Sequence, residues 1–146
     1  MATLLSYPTT RYAPAKLLDF SEKQVREEYT PAGAHTFFNI MEEWKVKDTD
    51  ARELLRGLGN GPFYELKRNP EGKVLDSERL YRISYVIGIY KALRILYSSD
   101  LANRFVHLPN TNRLFSGSTP LDYMKKGGLL AMQNVRRLLD ARRGGI

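Results

Sequence analysis

Apolar residues recur every three or four positions along most of the chain from His35 onward, the spacing of helices that bury one face. In "HTFFNIMEEWKV", Phe37, Phe38, Met41 and Trp44 share such a face and predict a first helix. "KDTDARELLRGLG" follows, with Asp48 as the expected N-cap, Ala51, Leu54 and Leu55 facing inward, and Gly57 and Gly59 as stop signals. A third short helix opens at Gly61–Pro62 in "NGPFYELKRN", because proline is tolerated in a first turn. Three short helices joined by tight glycine-bearing turns give a helix-turn-helix pattern over residues 34–75. The next stretch, "DSERLYRISYVIGIYKALRILYSS" (76–99), predicts one long helix capped by Asp76. Its broad stripe holds Leu80, Ile83, Val86, Ile87, Tyr90, Leu93, Leu96 and Tyr97. Arg79, Arg82, Lys91 and Arg94 lie off much of that stripe and are expected to be mostly solvated.

"SDLANRFVHL" predicts a short amphipathic helix ending before Pro109, and "PNTNRLFSGS" has the composition of a loop. In "LFSGSTPLDYMKKGGL" (114–129), Thr119 reads as an N-cap, Pro120 as the first helical residue and Asp122 as a capping-box acid. Lys125 and Lys126 suit the negative end of that helix, and Gly127–Gly128 breaks it. The stretch is a corner between helices, and "LLAMQNVRRLLDARRGGI" continues as the last helix. Residues 1–33 mix Pro8, Pro14, Pro31 and Gly33 with polar residues around one short possible helix, "SEKQVREEY". They predict a flexible N-terminal arm, ordered only in part. No strand-like alternation occurs. The expected fold is all-α: helix-turn-helix-like N-terminal helices (34–75), then a long helix and a C-terminal helical binding region (76–146).

The 146 residues fit one domain with an arm. Cysteine is absent, which excludes disulfides and thiolate metal sites and agrees with a reducing cytoplasm. No run of eighteen apolar residues occurs, and the N-terminus does not follow a basic start with an apolar core, so neither a membrane span nor a secretory leader is expected. The charge becomes informative when it is divided. Residues 1–75 carry eleven basic and eleven acidic groups, whereas residues 76–146 carry twelve basic against five acidic, a net of +7. The second half therefore attracts nucleic acid, anionic lipid or an acidic protein.

Catalytic chemistry finds little support. His35 and His107 stand far apart without ligand-like spacing to a carboxylate. "SGSTP" lacks the strand-turn-helix setting of a nucleophile elbow, and "GLGNGPF" lacks the Gly-Lys-Ser/Thr end of a phosphate loop. The pairs Glu27/Glu28 and Glu42/Glu43 are adjacent and point to different sides of a helix. The chain is expected not to be an enzyme and to need no cofactor or metal. Two groups of residues read as binding surfaces. Asn60, Tyr64, Lys67 and Arg68 surround the third helix and are candidates for DNA contact, against the alternative that Phe63 and Leu66 simply pack it inward. Arg136, Arg137, Arg142 and Arg143 crowd the end of the last helix, where helix-end cations and a carboxylate- or phosphate-gripping face are both open readings.

The second half also resembles the toxin-binding domain of Xre/MbcA/ParS-type antitoxins. The likeness rests on "YKALRILY", "PNTNRLFSG", "PLDYM" and "GG" ahead of a closing "VRRLLDARRGG", and covers about the last seventy residues. The preceding "FFNIMEEWKVKDTDARELLRGLG" is similar to that family's helix-turn-helix portion. The resemblance implies a bacterial type II antitoxin that binds a RES-domain toxin, a class that consumes NAD or transfers ADP-ribose from it. It implies that the antitoxin covers the toxin's active site, forms a homodimer or a higher hetero-oligomer with it, and represses its own operon through operator DNA. Carried onto this chain, toxin contact falls on the loop with Asn110, Asn112 and Arg113, on Arg136, Arg137, Arg142 and Arg143, and on Gly144, Gly145 and Ile146. The reading-helix segment departs from the family pattern, with Pro62 and Phe63 where polar base-contacting groups are expected. A stand-alone helix-turn-helix repressor and an accessory subunit of a different enzyme are the alternatives.

Overall fold

The computed structural model describes residues 18–144. Among them lie six α-helices, one 3-10 turn and no strand. The helices are α1 (Lys23–Glu43), α2 (Asp48–Leu54), α3 (Asn60–Arg68), α4 (Ser77–Leu96), α5 (Ser99–Arg104) and α6 (Pro120–Arg142), with the 3-10 turn at Phe105–His107. The all-α expectation holds. None of these helices is long and apolar enough to cross a membrane.

α1 starts at Lys23 rather than at His35, and carries Pro31 and Gly33 inside it. The reason is packing. Tyr29, Gly33, Phe37, Ile40, Met41 and Trp44 are all buried, so one apolar face runs through the stretch expected to be an arm. A methyl group at Gly33 would overlap the Tyr29 ring, so the glycine is a notch for that ring and not a chain break. Thr30 is also buried, donating from Oγ1 to the Arg26 carbonyl at 2.7 Å and accepting from the Leu75 amide at 3.1 Å. Ahead of the helix, buried Phe20 packs against Tyr29 and Tyr81, with ring centroids 4.9 and 4.8 Å apart. Residues 18–33 therefore belong to the packed body. The rest of the expected arm, residues 1–17, lies outside the described residues.

α4 is the central element, packed by α1 and by α6. Asp76 caps it as expected, accepting from the Arg79 amide at 3.2 Å. Its buried surface extends beyond the stripe to Gly88, Ile89 and Ala92. Arg82, expected to be solvated, is only 8% exposed. It donates from Nε and Nη2 to Glu78 at 3.1 and 2.8 Å, and from Nη1 to the Leu54 carbonyl at 3.3 Å. Arg79 likewise donates from Nε to the Leu55 carbonyl at 2.7 Å. The last carbonyls of a helix have no partner within it, and these two guanidiniums supply one to the end of α2. The expected cap at Asp48 is also corrected. Lys47 occupies the N-cap position without a side-chain hydrogen bond, and the Asp48 carboxylate in the first turn is engaged elsewhere.

α6 is kinked. Thr119 caps it through Oγ1, accepting from the Asp122 amide at 3.1 Å, and Pro120 is its first residue. At Gly128 the backbone takes φ 63°, ψ −140°, which is not helical. The Asn134 amide then donates to the Tyr123 hydroxyl at 3.0 Å. Eleven residues of straight helix would separate those positions by roughly 16 Å. The limbs 120–127 and 129–142 are therefore set at an angle to each other, and the break expected at Gly127–Gly128 falls on Gly128. Lys125 ties the first limb to α2, with Nζ 2.7 Å from Asp50 and 3.6 Å from Glu53. Both histidines have contacts: His107 Nε2 lies 2.5 Å from the Trp44 carbonyl oxygen, and His35 Nε2 3.2 Å from the Asn39 amide nitrogen.

Candidate functional site

Val135 and Leu139 anchor the second limb of α6 in the core, so the residues between them are turned to its flanks and outer side. Arg137 is exposed, donating to Asn134 Oδ1 at 3.3 Å. Arg142 is exposed and donates from Nη1 to the Tyr97 hydroxyl at 2.8 Å. Arg136 lies along α4 instead, its Nη1 where a methyl group at Gly88 would sit. Its Nε donates to both oxygens of Asp140 at 3.1 Å, and Arg143 approaches the same carboxylate at 3.6 Å. Gly144, at φ 74°, ends the helix by donating its amide to the Ala141 carbonyl at 3.0 Å. Gly145 and Ile146 lie outside the described residues.

The loop before α6 is a built turn. Asn110 Oδ1 accepts from the Asn112 amide, and Asn112 Oδ1 from the Leu114 amide, both at 2.9 Å. Buried Phe115 pins the loop against Tyr123, at 5.4 Å between ring centroids. The two asparagines thus shape the loop with their carbonyl oxygens, and Arg113 is its exposed cation. Because Tyr123 also meets Asn134, and Arg137 binds that asparagine, the kink brings the loop close to the arginine-bearing limb.

The candidate DNA-contacting residues form a separate group. Asn60, Tyr64, Lys67 and Arg68 are all exposed on α3, while Phe63 and Leu66 are buried. The polar atoms of Tyr64, Lys67 and Arg68 are engaged by nearby acids. Asp48 accepts from the Tyr64 hydroxyl and from Lys67 Nζ, each at 2.9 Å, and Arg68 pairs with Glu65. The hydrogen bond from Lys67 holds the Asp48 carboxyl below its usual range, and the same carboxylate pushes the Tyr64 phenol up. The α3 face is consequently close to neutral, as the charge count of the first half requires.

Sequence reasoning missed Gly88, Lys91, Tyr97 and Asp140 as companions of the arginines. A glycine inside a long apolar helix is a signal of close approach, and Gly88 carried it. Lys91 is half-buried, and burial together with the nearby Arg136 charge lowers its ammonium pKa.

Residues 92–145 match the family model of the antitoxin Xre/MbcA/ParS C-terminal toxin-binding domain. The chain is also similar to the uncharacterized protein y4oB of Sinorhizobium fredii, at 34% identity over 116 residues. That alignment covers 79% of this chain and 87% of the relative. No solved structure matches. The family match takes in the end of α4, α5, the loop and both limbs of α6, and so every arginine discussed above from Arg113 to Arg143. α3 lies outside it.

Proposed function

We infer, because the chain belongs to the Xre/MbcA/ParS antitoxin family through its toxin-binding domain at residues 92–145, that it neutralises a RES-domain toxin by closing that enzyme's active site. It is a binding protein, and the binding chemistry is that of arginine forks on a rigid helix. The observation that carries this reading is the second limb of α6, which ends in exposed Arg137, Arg142 and Arg143 within the matched segment. Guanidiniums held on a packed helix lose little freedom on meeting carboxylates or phosphates. The test is co-expression with the product of the neighbouring reading frame, expected to be a RES-domain protein. Growth is expected to be rescued, and a stable complex is expected on gel filtration. A toxin that stays lethal with excess antitoxin and forms no complex ends the reading. In the purified complex, Arg142→Ala with Arg143→Ala is expected to weaken toxin binding about ten- to a hundredfold. Calorimetric titration measures it, and an unchanged affinity would remove the tail from the interface.

Repression of its own operon is the second half of the proposal, with α2 and α3 as the DNA-contacting helices and Asn60, Tyr64, Lys67 and Arg68 as the contacts. The pairing of Lys67 with Asp48 and of Arg68 with Glu65 makes this face a weak phosphate binder. Asp48→Asn releases both Lys67 and Tyr64 and removes a charge that repels phosphate. It is expected to raise operator affinity by up to about fivefold, because exposed pairs are worth up to about 1 kcal/mol. Lys67→Ala with Arg68→Ala is expected to lower affinity and flatten its salt dependence by about one unit of slope per lost phosphate contact. Operator titrations at several salt concentrations decide both. If neither variant alters binding, α3 does not touch DNA.

A further inference from the structure

We propose that Gly88, Lys91 and Ile95 of α4, together with Arg136 and Arg143 of α6, form a docking face for an acidic segment of the toxin that also carries an apolar side chain; this rests on the toxin reading above. Positions 88, 91 and 95 are spaced by three and four residues, so they share one face of α4. Gly88 has no side chain, and Arg136 fills the notch with its guanidinium. That places a delocalised cation directly over the α4 backbone beside Lys91, one turn along the same face. The lowered Lys91 pKa reflects the same crowding: burial first, then the Arg136 charge. Asp140 serves two arginines at once, Arg136 at 3.1 Å and Arg143 at 3.6 Å. The arginine charge there exceeds what one carboxylate returns, and an incoming carboxylate restores the balance.

Ile95 gives the face its second half. It is 63% exposed on a helix whose other isoleucines, Ile83, Ile87 and Ile89, are buried. A single exposed isoleucine needs no explanation. One turn past Lys91, beside a cationic notch, it has the form of an apolar anchor with a charged rim, the arrangement in which interface energy concentrates. The occupant follows from continuity and charge. Ile95, Arg136 and Arg143 lie inside the toxin-binding segment, whereas Gly88 and Lys91 lie just ahead of it, so the same partner reaches across both helices. Its facing surface must be acidic.

The test uses the full-length antitoxin and the RES-domain product of the neighbouring reading frame, titrated by calorimetry at two salt concentrations. Lys91→Gln with Ile95→Ala is expected to weaken toxin binding about tenfold or more and to reduce its salt dependence. Ile95→Ala alone is expected to weaken binding without changing the salt dependence. Thermal melting is expected to stay unchanged in the Ile95→Ala variant, because Ile95 is exposed. Toxin affinity within about twofold of wild type in the double variant, while Arg142→Ala with Arg143→Ala still weakens it, overturns the α4 face and leaves the toxin reading standing. Loss of operator affinity with full toxin affinity also overturns it, making the face a nucleic-acid surface. If the wild-type chain does not bind the RES-domain protein, both inferences fall together.

Discussion

A chain lacking residues 1–33 is expected not to fold, whereas one beginning at residue 18 keeps the fold. The longer deletion removes Phe20 and Tyr29, both completely buried, and with them the ring contacts to Tyr81. Truncating a buried large aromatic side chain typically costs about 3–5 kcal/mol. Two such losses approach or exceed the roughly 5–15 kcal/mol that holds a domain of this size together. The deletion also takes the Thr30 hydroxyl from the Leu75 amide and the first eleven residues of α1, against which α4 packs. A chain starting at residue 18 retains every one of these contacts. Far-ultraviolet circular dichroism and thermal melting of the two chains decide the matter. A cooperative melt of the shorter chain near the wild-type temperature would show that residues 18–33 are dispensable. Phe20→Ala in the full chain is the graded version, expected to lose about 3–5 kcal/mol without abolishing the helical signal.

That result bears on why the sequence was legible in some places and not in others. Capping and turn chemistry is local, and apart from the Asp48 cap it is legible: Asp76 and Thr119 cap their helices, Pro120 starts α6, and the break falls within the glycine pair, at Gly128. The apolar stripe of α4 was equally visible, because its period is a property of one helix. The start of α1 was not, because Pro31 and Gly33 carry a local signal of irregular chain that tertiary packing overrides. Gly33 is in the helix to make room for Tyr29, and that need arises only when the ring is held down by Phe20. Arg82 was misplaced for a similar reason. An arginine off the apolar stripe is ordinarily solvated, but this one meets the unpaired carbonyl end of α2, an acceptor supplied by another helix. Asp48 had two local uses, cap or ion pair, and the fold brought Tyr64 and Lys67 within reach of it. For the binding surface, the residue types were readable and their company was not. The arginines announced themselves by number, whereas the notch at Gly88 and the shared Asp140 exist only once α6 lies along α4.

The bend at Gly128 is what puts α6 there, and Gly128→Ala is expected to be the most damaging small substitution in the binding domain. The backbone at this position, φ 63° and ψ −140°, is the mirror image of an extended conformation, which a residue with a Cβ scarcely adopts. Holding alanine in it costs about 1–3 kcal/mol from the backbone alone. The added carbon would also lie 2.7 Å from Nη2 of Arg82. A long side chain in water would move aside at small cost. Arg82 is buried and bound to Glu78 and to the Leu54 carbonyl, so moving it breaks hydrogen bonds to a charged group. Together these give a loss of about 2–4 kcal/mol, seen as a melting temperature lowered by roughly 6–15 °C. Gly127→Ala makes a useful comparison, because Gly127 has no left-handed backbone and its Cβ would meet the Ala131 methyl at 2.6 Å, a contact between the limbs rather than at the bend. The two substitutions therefore separate crowding between the limbs from the bend itself. If the limbs are held by Gly128, its alanine variant also frees Asn134 from Tyr123 and weakens toxin binding beyond what its lower stability explains, measured below the melting transition. A Gly128→Ala protein with wild-type melting and full toxin affinity would mean that the bend does not depend on this glycine.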